Sequence, residues 1–274
     1  MTGVIENLFS TSVDTVEVVA SVMNGSRPVR RLPQSAFHIS EDDVPQSIVQ
    51  FAGEDDLPLE VVVAVDNSTS VGPFMPVLKQ AVREFLGSLS PNDRVTLLGF
   101  SNRVVTFTRR TTDQATRLAA LDRMNASGHT VLYDAVLQGL DVLERQSGRR
   151  ALVVFTDGED EGSSAVLPTV DRRLRETEVT VFMVGEGRGT KVAALQRVMR
   201  RIAEPTGGTA VFEEKPEDLQ KAFGSIRSEL SSQYLLGYVS TNEKRDGSWR
   251  RLKVDVDGHG KVRAREGYRA PTER

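Results

Sequence analysis

Cysteine is absent from this 274-residue chain. Disulfides, thiolate zinc sites and cysteine nucleophiles are therefore excluded, although the compartment is not fixed by that absence. Histidine occurs only three times, as His38, His129 and His259, on separate turns or strands without zinc-ligand spacing. No stretch approaches the ~18 apolar residues of a membrane span, so none is predicted. Charge of one sign is also lacking: 35 basic and 38 acidic residues leave a net charge of -3. That balance argues against a nucleic-acid binder driven by bulk electrostatics. Gly-x-Ser-x-Gly, the turn of a serine hydrolase, is missing. Gly185-Glu186-Gly187-Arg188-Gly189 is glycine-rich, but its order and context do not match a dinucleotide fingerprint. No internal repeat or low-complexity segment is present. Met1-Thr2-Gly3-Val4 has neither the basic start nor the apolar stretch of a secretion signal. The expectation is either a cytoplasmic protein or a chain whose Met1 stands where a signal was removed.

What is present is ordinary for a soluble globular protein, with 39% hydrophobic and 27% charged residues. One stretch organises the rest: Val61-Val62-Val63-Ala64-Val65-Asp66-Asn67-Ser68-Thr69-Ser70. An apolar run bounded by polar turn residues reads as a fully buried strand, of the kind found in parallel sheets covered on both faces. Beyond it, Phe74, Val77, Leu78, Ala81, Val82 and Phe85 recur at helical spacing. Asp66, Ser68 and Ser70 thus fall on the turn at the carboxyl end of a central strand, where open α/β sheets place ligands. Three oxygen side chains at alternate positions of one turn can converge on a hard cation. Magnesium takes about six oxygen ligands at roughly 2.0–2.1 Å and usually keeps several waters. A simpler role also exists for each residue, since Asp66 can serve as an Asx-turn or helix cap.

Asp66-x-Ser68-x-Ser70 after an apolar strand resembles the first motif of the von Willebrand factor A (VWA) domain. Gly128-His129-Thr130, followed by a helix carrying Asp134-Ala135, resembles the second. Val153-Val154-Phe155-Thr156-Asp157-Gly158 resembles the third, a hydrophobic strand running into an acidic turn. The order of the three, each after a strand or before a helix, makes the joint signal specific. Taken singly, Thr130 reads as a helix cap and Asp157-Gly158 as a turn. The resemblance implies a metal-ion-dependent adhesion site with Asp66, Ser68, Ser70, Thr130 and Asp157 around one Mg2+ ion (Mn2+ in vitro). It also implies a partner protein whose carboxylate completes the coordination. Two carboxylates largely neutralise the ion, and the neutral hydroxyls donate weakly enough to leave it receptive to an anion.

The rest of the chain sets the predicted frame. Strands are expected at 94–100 and 104–107, joined by so short a link at Ser101-Asn102-Arg103 that the second must run antiparallel. Helices near 114–121, 165–176 and 192–204 alternate with strands at 149–156, 179–185 and 209–213. Lys215-Pro216-Glu217-Asp218 starts a last helix whose apolar stripe is Leu219, Phe223, Ile226 and Leu230. The flanks are β-rich, with Val16–Met23, Phe37-His38-Ile39 and Ser47–Phe51 before, and Gln233–Tyr238, Arg251–Val256 and Lys261–Tyr268 after. Glu54-Asp55-Asp56-Leu57-Pro58 marks the boundary between the first flank and the central region.

The expected architecture is α/β. A doubly wound, mainly parallel, Rossmann-like VWA sheet with one antiparallel edge strand occupies 58–232. A β-sandwich-like domain is expected to form by pairing 12–57 with 233–270. Gln233-Tyr234-x-Leu236-Gly237-Tyr238 and Gly267-Tyr268 resemble bacterial VWA-related proteins carrying β segments on both sides. That likeness favours a secreted or periplasmic location, with cytoplasmic as the alternative. The functional expectation is a non-enzymatic, metal-dependent protein-binding module with no nucleic acid and no membrane span. The alternatives are a metal-dependent hydrolase or phosphatase, for which no general base or nucleophile is placed beyond the ligand set, and a scaffold with a non-functional metal site. A Ser68–His129–Asp157 relay can be drawn from the sequence, but those oxygens suit a cation better. Arg172-Arg173-Arg175 and Arg197, Arg200 and Arg201 read as solvated helix faces.

Overall fold

The computed structural model describes residues 15–25, 27–53, 58–157, 159–185, 190–213, 219–258 and 260–272. The acidic boundary at 54–57, Gly158, the glycine-rich 186–189, the start of the last helix at 215–218 and His259 lie outside the described residues.

A six-stranded sheet forms the centre, built from β6 (Leu59–Asp66), β7 (Arg94–Phe100), β8 (Val104–Thr111), β9 (Arg149–Thr156), β10 (Thr180–Gly185) and β11 (Ala210–Phe212). Its order is β11-β10-β9-β6-β7-β8. All neighbours are parallel except β7 and β8, which form the antiparallel edge pair. Every residue of β6, β9 and β10 is buried, as expected of parallel strands covered on both faces. Alternation then divides the side chains. Val61, Val63 and Val65 face one apolar layer, with residues of α1 (Met75–Ser88), α2 (Gln114–Asp122) and α6 (Leu219–Leu230). Val62 and Ala64 face the other, with α3 (Leu132–Leu143), α4 (Leu167–Glu176) and α5 (Ala193–Ala203). α3 lies close on β9 because Gly139 has no side chain there; a Cβ would stand 2.6 Å from Leu152 Cδ1.

Two antiparallel sheets flank this centre. One has the order β14-β1-β12-β5, from β1 (Thr15–Asn24), β5 (Ile48–Ala52), β12 (Gln233–Val239) and β14 (Lys261–Ala264), with β2 (Arg27–Pro28) on β1. The other is β15-β13-β3-β4, from β3 (Phe37–Glu41), β4 (Val44–Gln46), β13 (Trp249–Val256) and β15 (Gly267–Arg269). β1 and β12 hold continuous register from Thr15↔Val239 to Ser21↔Gln233, so strands from the two ends of the chain are neighbours. Val18, Tyr234 and Leu236 of the first sheet share one core with Phe37, Ile39 and Leu252 of the second.

The central sheet meets these strands at its amino edge. Ser21 Oγ of β1 donates to Glu229 Oε1 at 3.3 Å, and Arg150 Nη2, bonded to Glu178 Oε2 at 2.6 Å, stands 3.5 Å from Glu17 Oε2. Arg265 donates to Glu17 O at 2.5 Å, and Arg263 pairs with Glu229. Burial pushes the Glu17 carboxyl up, Glu178 adds to the rise, and Arg150 and Arg265 pull it back. Gly207, at φ +82°, lets the backbone of Ala264 approach where a Cβ would stand 2.6 Å from its carbonyl carbon.

One buried ionic knot holds the outer sheets to each other. Glu41, 2% exposed, accepts from Tyr238 Oη at 2.6 Å, Ser240 Oγ at 2.7 Å, Tyr268 Oη at 2.8 Å and Arg250 Nη1 at 3.2 Å. Replacing Glu41 with alanine strands the buried Arg250 charge. It should destabilise the fold by about 3–5 kcal/mol, read as a lowered urea midpoint at unchanged slope. A wild-type midpoint would contradict the role given to this knot.

Candidate metal centre

β6 ends at Asp66, and the chain leaves the sheet edge at once. Asp66 Oδ1 accepts from Ser68 N at 2.9 Å, the local turn that an Asx residue favours. Its other oxygen, Oδ2, accepts from Thr156 Oγ1 at 2.8 Å, at the end of the neighbouring β9. Ser68 Oγ stands 3.0 Å from Ser70 Oγ. Asp66, Ser68, Thr130 and Asp157 are buried, whereas Ser70 is exposed and forms the solvent side of the cluster.

Backbone hydrogen bonds tie the three loops together. Ser127 N donates to Asn67 O at 2.8 Å, and Thr69 N to Gly128 O at 2.9 Å. Glu161 N and Gly162 N donate to Thr130 O at 2.9 and 3.1 Å. Asn67 N donates to Phe100 O at 2.9 Å, which anchors the first loop to β7. Side chains finish the work. Asp160 Oδ1 accepts from Tyr133 N at 3.2 Å, in the first turn of α3. Asp134 accepts from Ser164 N at 2.8 Å and from Ala165 N at 3.0 Å. Asn102 Oδ1 accepts from His129 N at 2.8 Å. The fold therefore brings Asp66, Ser68 and Ser70 into one bonded cluster, with the loops of Thr130 and Asp157 fastened beside it.

The electrostatics are those of a site short of positive charge. Burial pushes the Asp66 carboxyl up to about 6, opposed by hydrogen bonds from Ser68 and Thr156, while the neighbouring Asp157 raises it further. Asp157 is 4% exposed, and its buried Oδ1 makes no hydrogen bond. A buried carboxylate oxygen without a donor is costly. A divalent cation would give the Asp157 oxygen a partner and offset the charge beside Asp66, and hydroxyl and carboxylate oxygens suit a hard ion. Among the described residues no group of three or more His, Cys, Asp or Glu that could hold a metal ion is present. A metal here therefore depends on the Ser and Thr hydroxyls joining the two carboxylates.

The residues set aside in the sequence behave as bystanders. His129 Nδ1 lies 3.1 Å from Glu161 Oε2 on the exposed rim, while Ser68 Oγ pairs with Ser70. The drawn Ser68–His129–Asp157 relay therefore has no Ser68–His129 hydrogen bond. His38 pairs with Asp257 at 3.0 Å, far along the chain in the outer sheets. Arg173 bonds to Asp141 of the adjacent α3 and to Glu144 just past its end, and Arg201 to Asp171. Thr156, Asp134, Asn102 and Asp160 were given no role from the sequence. Asp134 and Thr156 stood inside the quoted motifs, and their position there was the available signal.

Residues 61–159 match the von Willebrand factor type A domain. No curated protein matches the chain. Among solved structures, BatB, a conserved hypothetical protein of Bacteroides thetaiotaomicron, is 21% identical; the match covers 63% of this chain and 98% of that one, with a TM-score of 0.53. A von Willebrand factor type A structure from Catenulispora acidiphila is 15% identical over 95% of this chain and 74% of that one, with a TM-score of 0.55. Proximal thread matrix protein 1 from the mussel byssus, with a zinc-occupied MIDAS motif, is 16% identical over 66% and 47%, also at 0.55. At these identities the likeness is one of fold.

The loop architecture makes a direct claim about Asp134. Asp134→Ala removes the acceptor for Ser164 N and Ala165 N. It should cost about 1–3 kcal/mol of stability and speed amide exchange at Ser164 and Ala165. Exchange at the wild-type rate would show that the carboxylate does not hold that loop.

Proposed function

We propose that the von Willebrand factor type A domain of this chain is a metal-dependent protein-binding module. Asp66, Ser68, Ser70, Thr130 and Asp157 hold one Mg2+ ion, directly or through water, and a carboxylate of a partner protein completes the coordination. The observation that carries this reading is the unbonded, buried Oδ1 of Asp157 beside the buried Asp66. The two carboxylates repel one another, so a cation between them relieves that repulsion and gives Asp157 Oδ1 a partner. The exposed position of Ser70 leaves a path for a ligand from solvent. The MIDAS of the mussel protein holds zinc, so the choice of magnesium here rests on the oxygen-only donor set.

An enzymatic reading draws no comparable support. His129 is engaged by Glu161 on the rim, and no nucleophile–base hydrogen bond joins it to Ser68. We further assign residues 12–57 and 233–270 to one β-sandwich-like domain, into which 58–232 is inserted. The register of β1 with β12 and of β3 with β13 supports this division. A secreted or periplasmic location suits an adhesive role. No helix among the described residues is long and apolar enough to cross a membrane.

Metal should stabilise the fold by RT ln(1 + [L]/Kd), about 2.7 kcal/mol at a hundredfold excess over Kd. The melting temperature should therefore rise across millimolar magnesium or manganese and fall back with chelator. Asp66→Ala should abolish that rise together with metal-dependent partner capture. Thr130→Ala should weaken capture more than stability. A wild-type protein whose melting temperature ignores both ions would sink the metal reading even with the fold intact. The inserted-domain assignment has its own test, since removing residues 1–57 takes away β1, the strand between β12 and β14. The shortened chain should lose solubility or its cooperative unfolding transition. Unfolding like the full chain would show that 233–270 does not need those strands.

A further inference from the structure

The amino edge of the central sheet, opposite the carboxyl edge where Asp66 and Asp157 lie, carries a second feature. A cavity of about 950 Å³ opens there between the end of α4 and the outer sheets. Glu176 and Glu178 line it from the central domain, and the remainder comes from β1, the segment after β12, β13 and the last strand. Its lining is basic: Lys244, Arg245, Arg250, Arg265 and Arg269 stand against Glu176, Glu178 and Glu243.

The pairing of these charges is loose where the void is. Arg265, buried, reaches Glu178 only at 3.6 Å, and its Nε makes no hydrogen bond. Arg269 reaches Glu176 at 3.7 Å. Both distances exceed a hydrogen bond between charged groups, which runs nearer 2.7–2.9 Å. By contrast Arg250 Nη1 bonds Glu41 directly at 3.2 Å on the inner side, and Arg150 takes Glu178 at 2.6 Å, although the Nε of each also makes no hydrogen bond. Burial holds the Arg265 guanidinium below its usual range, and the nearby Arg150 adds to that, with Glu178 opposing. Arg250 and Arg265 also flank the Tyr268 ring, their guanidinium carbons 5.8 and 5.5 Å from its centre. A purely structural ion network is normally close-packed, with few voids larger than a water molecule. Here Lys244, Arg265 and Arg269 border open space instead.

We infer that this cavity is a second binding site, one that takes a small organic anion bearing a carboxylate or phosphate group on a polar body. Arg265 and Arg269 receive the anionic group, and Lys244 closes on it from the exposed rim. Tyr268 and the exposed Val239 give the body an apolar side. Because the lining draws on both the inserted domain and the outer sheets, a ligand there bridges them. This inference is independent of the metal reading, since none of its residues belongs to the cluster at Asp66.

The only tryptophan of the chain reports on the site. Trp249 pairs with Arg269 across β13 and β15, and its ring occupies the space beside Gly267. The full chain is titrated with citrate, glucuronate and glucose 6-phosphate, following Trp249 fluorescence. Glucose, and sodium chloride at matched ionic strength, serve as controls. A saturable change is expected with at least one anion and with neither control. Glucuronate separates a carboxylate source from the phosphate of glucose 6-phosphate. The double variant Lys244→Gln, Arg269→Gln alters two partly or fully exposed side chains, and its unliganded melting temperature checks that the fold is kept. It should bind the same anion about tenfold more weakly. Affinity unchanged in a folded variant, or anions acting no differently from chloride, would overturn the proposal.

Discussion

A carboxylate at the end of a strand buried along its whole length is the constraint on which the rest of this structure turns. β6 is covered on both faces because its neighbours are parallel, so Asp66 inherits a dry environment from the strand that carries it. Such a group is expensive unless it is bonded, and the loops around it are arranged accordingly. Ser68 and Thr156 supply donors to its two oxygens, and two further loops are stitched alongside by backbone hydrogen bonds. Asp157 joins this environment with one oxygen unbonded, and the excess negative charge is concentrated at a single point on the sheet edge.

The polarity of a parallel sheet separates binding from attachment. All carboxyl ends of β6, β9 and β10 point one way, and the loops there carry the oxygen cluster. All amino ends point the other way, and there Arg150 reaches Glu17 of β1 at 3.5 Å while Glu229 of α6 pairs with Arg263 of β14. The helix α6 runs into β12 with only two residues between them. The central sheet is thus tied to the outer strands at its amino edge, and at its carboxyl edge Ser70 reaches solvent.

Much of this arrangement was legible in the sequence because it rests on periodicity. Buried parallel strands read as apolar runs, and the tight link at Ser101-Asn102-Arg103 gave the antiparallel edge before β8. The end of that strand was not visible. β8 continues to Thr111, because an edge strand keeps hydrogen bonding after its side chains turn polar at Arg109 and Arg110. β4 was missed for a related reason, being a short edge strand of mostly exposed residues that tolerates Pro45. At the site, the oxygen donors stood out at alternate positions on one turn. Their partners did not: Thr156 bonds Asp66 across 90 residues, and Arg265 meets Glu17 across 248. No local pattern in a single sequence encodes such pairs.

On the reading proposed above, a divalent ion sits between Asp66 and Asp157. Diffraction from crystals grown with manganese, collected to reveal the anomalous signal of that metal, addresses it directly. One strong anomalous peak is expected within bonding distance of the Ser68 and Ser70 hydroxyls, with the Asp157 Oδ1 turned toward it. Clear density for all five side chains with no anomalous peak among them would contradict it.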